Sequence, residues 1–274
     1  LVGLPVYKMT GSGNDFVMVD ARLSAPEEWS AADIRAACAR GSGVGADGVV
    51  FVGPGSTAGS ARMTYFNSDG SHAAMCGNAA LCATRLAARL GLALAAGMRL
   101  ETDAGVFDSR CHTDDHRAEL RLAAAEPPRV VQGLSTAHGE RRAVLGVVGV
   151  PHLVVLVDDV DTVDLERRGR ALRADRALGP PGANVNFISP GPRASQWRMR
   201  TYERGVEAET LACGTGAVTA AMALDGWGLG HLPTTVITRS GQRLEVSGRR
   251  TNGGLYDELW LSGEARLVFR GVLT

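Results

Sequence analysis

The sequence predicts a mixed α+β protein made of two like-folded halves, and three observations carry that prediction. Glycine is abundant, with 35 in 274 residues, while aromatics make up only 5%, a balance that suits many tight turns. Strand-like runs outnumber helical ones and follow one another through short turns, so the pattern is not a regular βαβ array. A shift of about 136 residues also lays four blocks of the chain onto four later ones in the same order.

The first block, GNDFVMVD at Gly13–Asp20, falls on GVPHLVVLVD at Gly149–Asp158. GADGVV at Gly45–Val50 falls on GANVNF at Gly182–Phe187, and RMTYFN at Arg62–Asn67 on RMRTYE at Arg198–Glu203. Cys76 then falls on Cys213 with one residue inserted. Any single match is weak, but four in order at a nearly constant offset indicate a duplication.

The elements follow from periodicity. In the first half FVMVD, GVVFVG, RMTYF, GMRLET and AELRLA read as short strands. HLVVLVDD, NVNFISP, QWRMRTYE, TTVITRS, QRLEVSG and DELWLSGEARLVFRG read the same way in the second. Helical spacing is present in AADIRAACAR, in AALCATRLAARLG (stopped by Gly91), in LERRGRALRAD and in GAVTAAMALDG. One principal helix therefore follows each of Cys76 and Cys213. EPPRVVQG at Glu126–Gly133 has no period and reads as a loop between the halves. The expected division is 1–117 with a C-terminal strand at 264–274 for the N-terminal half, and 118–263 for the C-terminal half.

Lys+Arg and Asp+Glu both number 29, without a basic stripe or an acidic tail, so neither nucleic acid nor a charge-driven partner is indicated. No apolar run approaches the roughly 20 residues a membrane helix needs. The opening LVGLPVYKMTGSG lacks the basic start and long apolar stretch of a signal peptide. Five cysteines, an odd number without paired spacing, fit a reducing cytoplasm. CxxC, HExxH and carboxylate triplets at metal-ligand spacing are absent, and no metal is expected.

MCGNAALC at Met75–Cys82 and ACGTGAVTAA at Ala212–Ala221 place a cysteine and a glycine where a loop becomes a helix. The first four N–H groups of a helix lack intrahelical partners, and glycine lets a ligand approach them. Such an end attracts an anion, including a substrate carboxylate. It also favours thiolate over thiol: a helix dipole contributes roughly 0.3–1 kcal/mol, occasionally about 2, so a thiol pKa near 8.5 falls by about one unit. Two opposed helix ends sharing one carboxylate present a sulfur to each face of the neighbouring carbon. Inverting that carbon needs a base on one face and an acid on the other. Two thiolates close together repel, so one proton shared between two sulfurs is the natural state. Amide donors hold the enolate-like charge, and no cofactor is expected. A lone cysteine before or within a helix is ordinarily inert packing, which is the reading for Cys38 and Cys82. Cys111, in a polar turn, is assigned no role.

KMTGSGNDF, GADG, FNSDGSHAAMCGN, NVNF and TYERGVEAETLACGTGA closely resemble the diaminopimelate epimerase family, from Tyr7 to at least Ala221. The resemblance implies two pseudo-symmetric halves, each a mainly antiparallel sheet wrapped around a central helix, with the active site in the cleft between them. It implies a PLP-independent two-thiol enzyme, converting LL- to meso-diaminopimelate for lysine and peptidoglycan precursors, and a homodimer. Carried over residue by residue, Cys76 and Cys213 are the acid–base pair. Gly77, Asn78, Gly214 and Thr215 offer amide donors to the reacting carboxylate, while Asn14, Asn67, Asn184, Glu203 and Arg204 line the substrate. His152 and Glu203 tune the thiols. Plainer readings stand beside these: Asn14, Asn67 and Asn184 as turn residues, Arg204 as half of a surface ion pair, His152 as a structural histidine. Asp69 shapes a turn.

The chain departs from the family at Ala79 and Leu81, where CGNG-x-R-C reads CGNAALC, and at Val150, where many relatives have the Asn of GNPH. Gly48 stands where some have a side-chain contact. One lost hydrogen bond to a charged group costs about 1.5–3 kcal/mol. These changes leave the reaction intact and leave open another amino acid, such as histidine, as substrate. A binding protein with a degenerate site is a third reading, against which the retained cysteines, Glu203 and Arg204 argue.

Overall fold

The computed structural model describes residues 1–112 and 116–274, which divide into two units, Leu1–Arg121 with Ser262–Thr274, and Leu122–Leu261. The first unit holds β1 (Pro5–Gly11), β2 (Asn14–Asp20), α1 (Ala31–Cys38), β3 (Gly48–Pro54), β4 (Ser60–Asn67) and β5 (His72–Ala73). It continues with α2 (Gly77–Arg89), β6 (Met98–Thr102), β7 (Gly105–Cys111) and β8 (Arg117–Arg121). The second holds β9 (Arg129–Val130), β10 (Glu140–Val148), β11 (Val150–Val157), α3 (Leu165–Arg173), β12 (Asn184–Pro190) and β13 (Gln196–Glu203). It continues with β14 (Ala208–Thr210), α4 (Gly214–Gly226), β15 (Thr234–Ile237) and β16 (Arg243–Arg250). β17 (Tyr256–Glu264) carries the chain back to the first unit, where β18 (Arg266–Val272) pairs antiparallel with β1.

Strand pairing repeats from one unit to the other. β1–β2, β3–β4, β4–β5, β6–β7 and β7–β8 are antiparallel, while β2–β3 and β4–β6 are parallel. In the second unit β10–β11, β12–β13, β13–β14 and β15–β16 are antiparallel, while β11–β12 and β13–β15 are parallel. The register repeats as well. Phe16 pairs with Gly48 as His152 pairs with Asn184, and Val50 with Tyr65 as Asn186 with Thr201. This corrects one block of the sequence comparison by a residue: Gly48, not Asp47, is the counterpart of Asn184. The two strands then coincide from Gly48–Pro54 to Asn184–Pro190, with the same burial along both. Left-handed backbone recurs at matching points, as at Gly13 and Gly149 or Gly91 and Gly228. Ser195 (φ 63°) and Glu207 (φ 57°) adopt it where the first unit has Gly59 and Gly70.

Both faces of the central strands β2, β3, β11 and β12 are covered, which explains their uninterrupted apolar runs. In the first unit Val17, Val19, Val49 and Phe51 pack with Ile34 and Ala37 of α1. In the second, Leu153, Val155, Val185 and Phe187 pack with Leu165 and Leu172 of α3. Alternation sends the intervening residues to the opposite face. That face meets α2, which touches β1, β2, β3, β4, β6, β7 and β8, or α4, which touches β10, β11, β12, β15 and β16. α4 is buried on all sides from Gly216 to Leu224, as expected of a helix without a polar face. Each sheet therefore wraps around a central helix.

Several boundaries differ from expectation. The division expected at 117 falls after Arg121, because β8 is hydrogen-bonded to β7. Glu126–Gly133 is not wholly loop: Arg129 and Val130 pair with β10. DELWLSGEARLVFRG is two strands, interrupted at Ala265. β1, β7 and β10 went unread because Lys8, Asp108, Arg110, Arg141 and Arg142 break their apolar pattern. Cys111 is not in a turn; it ends β7 and is buried. No helix among the described residues is long and apolar enough to cross a membrane.

Candidate active site

Each unit presents one cysteine at the same point. Cys76 is the N-cap of α2 (φ −137°, ψ 123°) and Cys213 the N-cap of α4 (φ −129°, ψ 106°), both extended. Helical bonding starts with Ala80 N–H donating to the Cys76 carbonyl at 2.9 Å and Ala217 N–H to that of Cys213 at 3.0 Å. The amides of Gly77, Asn78 and Ala79, and of Gly214, Thr215 and Gly216, precede those bonds. Neither cysteine side chain caps its helix, and neither first turn has an acidic residue. The positive end of each dipole is thus left uncompensated by the helix itself, the condition for holding an anion.

In the first unit Asn14 and Asn78 are tied together and anchored. Asn78 Nδ2 donates to Asn14 Oδ1 at 2.8 Å, and Asn14 Nδ2 donates to Asp47 Oδ2 at 2.8 Å. Arg40 grips Asp47 and Asp15 at 2.8 and 2.7 Å, and Lys8 donates to Asp15 and to the Gly45 carbonyl. Asn78 Oδ1 is buried without a hydrogen-bond partner among the described residues, an acceptor set for an N–H donor. Asn67 closes β4: its Nδ2 donates to Ser71 Oγ at 3.0 Å, and its carbonyl accepts from Gly70 N–H. Asp69 shapes the same turn through Ser71 N–H. Gly48 has no room for a side chain, since a Cβ there lies 2.5 Å from Phe66 O and from the Tyr65 ring.

In the second unit Asn184 Oδ1 accepts from Arg204 N–H at 2.7 Å, which braces the turn after β13. Among the described residues no salt bridge involves Arg204, whose guanidinium bonds only the Pro181 carbonyl. A surface ion pair is therefore not its role here. Burial pushes the Glu203 carboxyl above the usual carboxylate range. His152 is fully buried, its Nε2 3.0 Å from Thr215 Oγ1, and that oxygen is 3.9 Å from Cys213 Sγ. Burial, reinforced by the Arg204 charge, lowers its pKa to about 3 despite the opposing pull of the Val148 carbonyl. At neutral pH it is an uncharged imidazole, so any influence on a thiol runs through hydrogen bonding rather than positive charge. Val150 opens β11 half-exposed.

His152 carries a pH signature. The unfolded chain takes the proton near pH 6.5 and the native chain only near 3. Stability due to the neutral ring is whole above 6.5 and is lost as pH falls toward 3, at about 1.4 kcal/mol per pH unit. Urea melts of a His152→Gln variant are expected to lack that slope between pH 6 and 4. A slope equal to wild type means the ring titrates normally.

The other cysteines are set apart by burial, which pushes the Cys38 thiol up to about 11 and the Cys82 thiol well above its ordinary value. Leu81 and Ala79 are fully buried in α2, so the departures there serve packing. Sequence reasoning missed Asn186, Asp47, Arg40 and Lys8. NVNF held a usable signal: two Asn at spacing two share a face, so Asn186 faces α4 as Asn184 does.

The model of the family described as Diaminopimelate epimerase matches residues 6–126 and 145–257. The chain belongs to the diaminopimelate epimerase family. Diaminopimelate epimerase of Gemmatimonas aurantiaca is 46% identical, covering 96% of this chain and 97% of its own. That of Aquifex aeolicus is 39% identical, covering 98% and 97%. Among solved structures, a phenazine biosynthesis protein of the PhzF family from Bacillus anthracis superposes with TM-score 0.73 at 17% identity, covering 100% of both chains. A hydroxyproline epimerase from Agrobacterium vitis gives TM-score 0.66 at 13% identity, covering 98% of this chain and 90% of its own. At such identities the likeness is one of fold. Membership of the diaminopimelate epimerase family makes the chain an isomerase.

Proposed function

We propose that this isomerase converts LL- to meso-diaminopimelate with Cys76 and Cys213 as its two bases, one sulfur on each face of the reacting carbon. The observation that carries the reading is the repeated N-cap cysteine, in one backbone conformation, at the head of a central helix with no acidic first turn. The α-carboxylate accepts from the opening amides of α2 and α4. One thiolate removes the α-hydrogen and becomes a thiol. The charge left on the carboxylate side is held by those amides. The opposite thiol delivers its proton from behind and becomes the thiolate, so the two exchange states with each turnover.

The distal zwitterion suits Arg204, whose guanidinium pairs with no carboxylate among the described residues, together with Asn184 and Asn67. Asn78 Oδ1 suits a substrate ammonium, as does the Glu203 carboxylate. The thiols need a reducing compartment, which supports a cytoplasmic enzyme. Val150 and Gly48 keep another amino acid as the competing substrate.

The test is one-dimensional NMR in deuterated water. With LL-diaminopimelate the α-proton signal is expected to vanish as the meso isomer forms, without added cofactor. Inertness toward diaminopimelate, with exchange on histidine or another amino acid, overturns the substrate and keeps the two-thiol chemistry.

A further inference from the structure

The first unit carries a line of charged and amide side chains that the second does without. Lys8, Asn14, Asp15 and Asp47 stand in the register where the second unit has Leu145, Val150, Pro151 and Ala183. Without those four side chains the second unit still forms the same strand pairings and sets its cysteine at the head of α4. The fold does not require the line, so its use lies elsewhere.

The line has one direction, and a carboxylate sets it. Asp47 Oδ1 accepts from Arg40 at 2.8 Å, while Oδ2 accepts from Asp15 N–H at 3.2 Å and from Asn14 Nδ2 at 2.8 Å. A carboxylate held this way has no proton to give, so Asn14 turns its nitrogen toward Asp47 and its oxygen away. That oxygen accepts from Asn78 Nδ2 at 2.8 Å, which leaves Asn78 Oδ1 at the far end of the line. Asn78 is 3% exposed, and its Oδ1 is buried without a hydrogen-bond partner among the described residues. Buried acceptors are ordinarily satisfied, and this one belongs to the second residue of α2, beside Cys76. The helix head is also seated closely: a Cβ at Gly11 of β1 lies 2.7 Å from the Asn78 carbonyl oxygen.

We propose that Asp47 is a positioning residue, which acts through Asn14 to present the Asn78 side chain oxygen-first to the substrate ammonium. The inference deepens the proposed reading of the site and rests on it. Asp47 decides which end of two amides faces the ligand: an oxygen there accepts from an ammonium, and a nitrogen there repels it. Arg40 grips Asp47 and Asp15 together, and Lys8 holds Asp15 from the other side, so the carboxylate that starts the line is fixed.

Asp47→Asn tests this, because it keeps the size of the side chain and reverses the line. The new amide gives its oxygen to Arg40 and its nitrogen to Asn14, so Asn14 turns over and Asn78 turns with it. KM for diaminopimelate is expected to rise about 10–100-fold, the loss of one hydrogen bond to a charged group, with kcat within about threefold. A loosened fold instead lowers kcat through the active fraction and leaves KM in place, and that result overturns the inference. The double variant Asn14→Asp with Asp47→Asn restores the direction, since a carboxylate at position 14 accepts from both neighbours. It is expected to have a lower KM than either single variant; additive losses overturn the inference. Neutron diffraction from ligand-free crystals reads the direction without substrate. The Asn78 amide deuterons are expected to point at Asn14 in wild type and away from it in Asp47→Asn. The same orientation in both, or the reverse in wild type, overturns the inference. An enzyme inert on diaminopimelate but active on another amino acid fails the substrate reading alone, and the KM comparison is then made on that amino acid, which brings the same ammonium. An active epimerase whose KM is unmoved by Asp47→Asn fails this inference alone.

Discussion

Cys76→Ala and Cys213→Ala are each expected to lower the rate of inversion of diaminopimelate by roughly 10²–10⁴-fold, the contribution of one positioned acid or base. Both cysteines are helix N-caps whose side chains do not cap the helix, so alanine leaves the backbone of α2 or α4 intact. The single-thiol proteins are expected to differ in a way that loss of folding does not mimic. A lone thiolate removes and returns hydrogen on one face only. One variant therefore exchanges the α-proton of the LL isomer without inverting it, and the other that of the meso isomer. The measurement is proton NMR in deuterated water on each isomer separately. Inversion at the wild-type rate in either variant ends the two-base account.

Gly216→Ala is expected to be the most damaging conservative change in α4. A Cβ at Gly216 lies 2.3 Å from Asn186 Oδ1 and 3.2 Å from Cys213 Sγ, so one of them has to move. Asn186 is held by Thr201, the Leu153 carbonyl and the His152 ring, which leaves it little freedom to yield. Overpacking of this kind costs about 1–3 kcal/mol, against a gain of about 1 kcal/mol from replacing glycine within a helix. Displacing a catalytic atom by about an ångström costs on the order of 10² in rate. The first unit supplies the control, because its equivalent position is already alanine: Ala79, fully buried in α2. Ala79→Gly is expected to cost about 1 kcal/mol in stability through helix propensity. Thermal melts with kcat for both variants check this, and a fully active Gly216→Ala protein with a raised Tm contradicts it.

Much of the fold was legible because the duplication is written in residues that satisfy local rules. GNDFVMVD and GVPHLVVLVD both become strands covered on two faces, and Gly91 and Gly228 both end a helix with positive φ, as C-terminal glycines do. β1, β7 and β10 were not legible, since Lys8, buried against Asp15 and the Gly45 carbonyl, and charged residues at exposed positions of β7 and β10 break the apolar period. The one-residue slip between GADGVV and GANVNF shows the limit of matching letters. Gly45 and Gly182 both take left-handed backbone and so align, yet the strands after them align one residue earlier, by hydrogen bonding.

The candidate site divides along the same line. Cys76 and Cys213 were visible because a cysteine followed by glycine at a helix start is a local arrangement with a local electrostatic consequence. Asn186, Asp47 and Arg40 were not, for each acts through a partner distant in sequence: Asn186 through His152, Asp47 through Asn14, Arg40 through Asp15. His152 was legible as a residue of interest but not as a neutral one. What the chain determined by itself is the pair of like halves and the placing of one sulfur at the head of each central helix, because caps, periods and turns are properties of a few neighbouring residues. Only the tertiary structure decided that His152 is buried and uncharged beside Thr215 and Asn186, and that Asp47 anchors Asn14. Burial and bond direction belong to strands packed side by side, and the linear order of residues does not contain them.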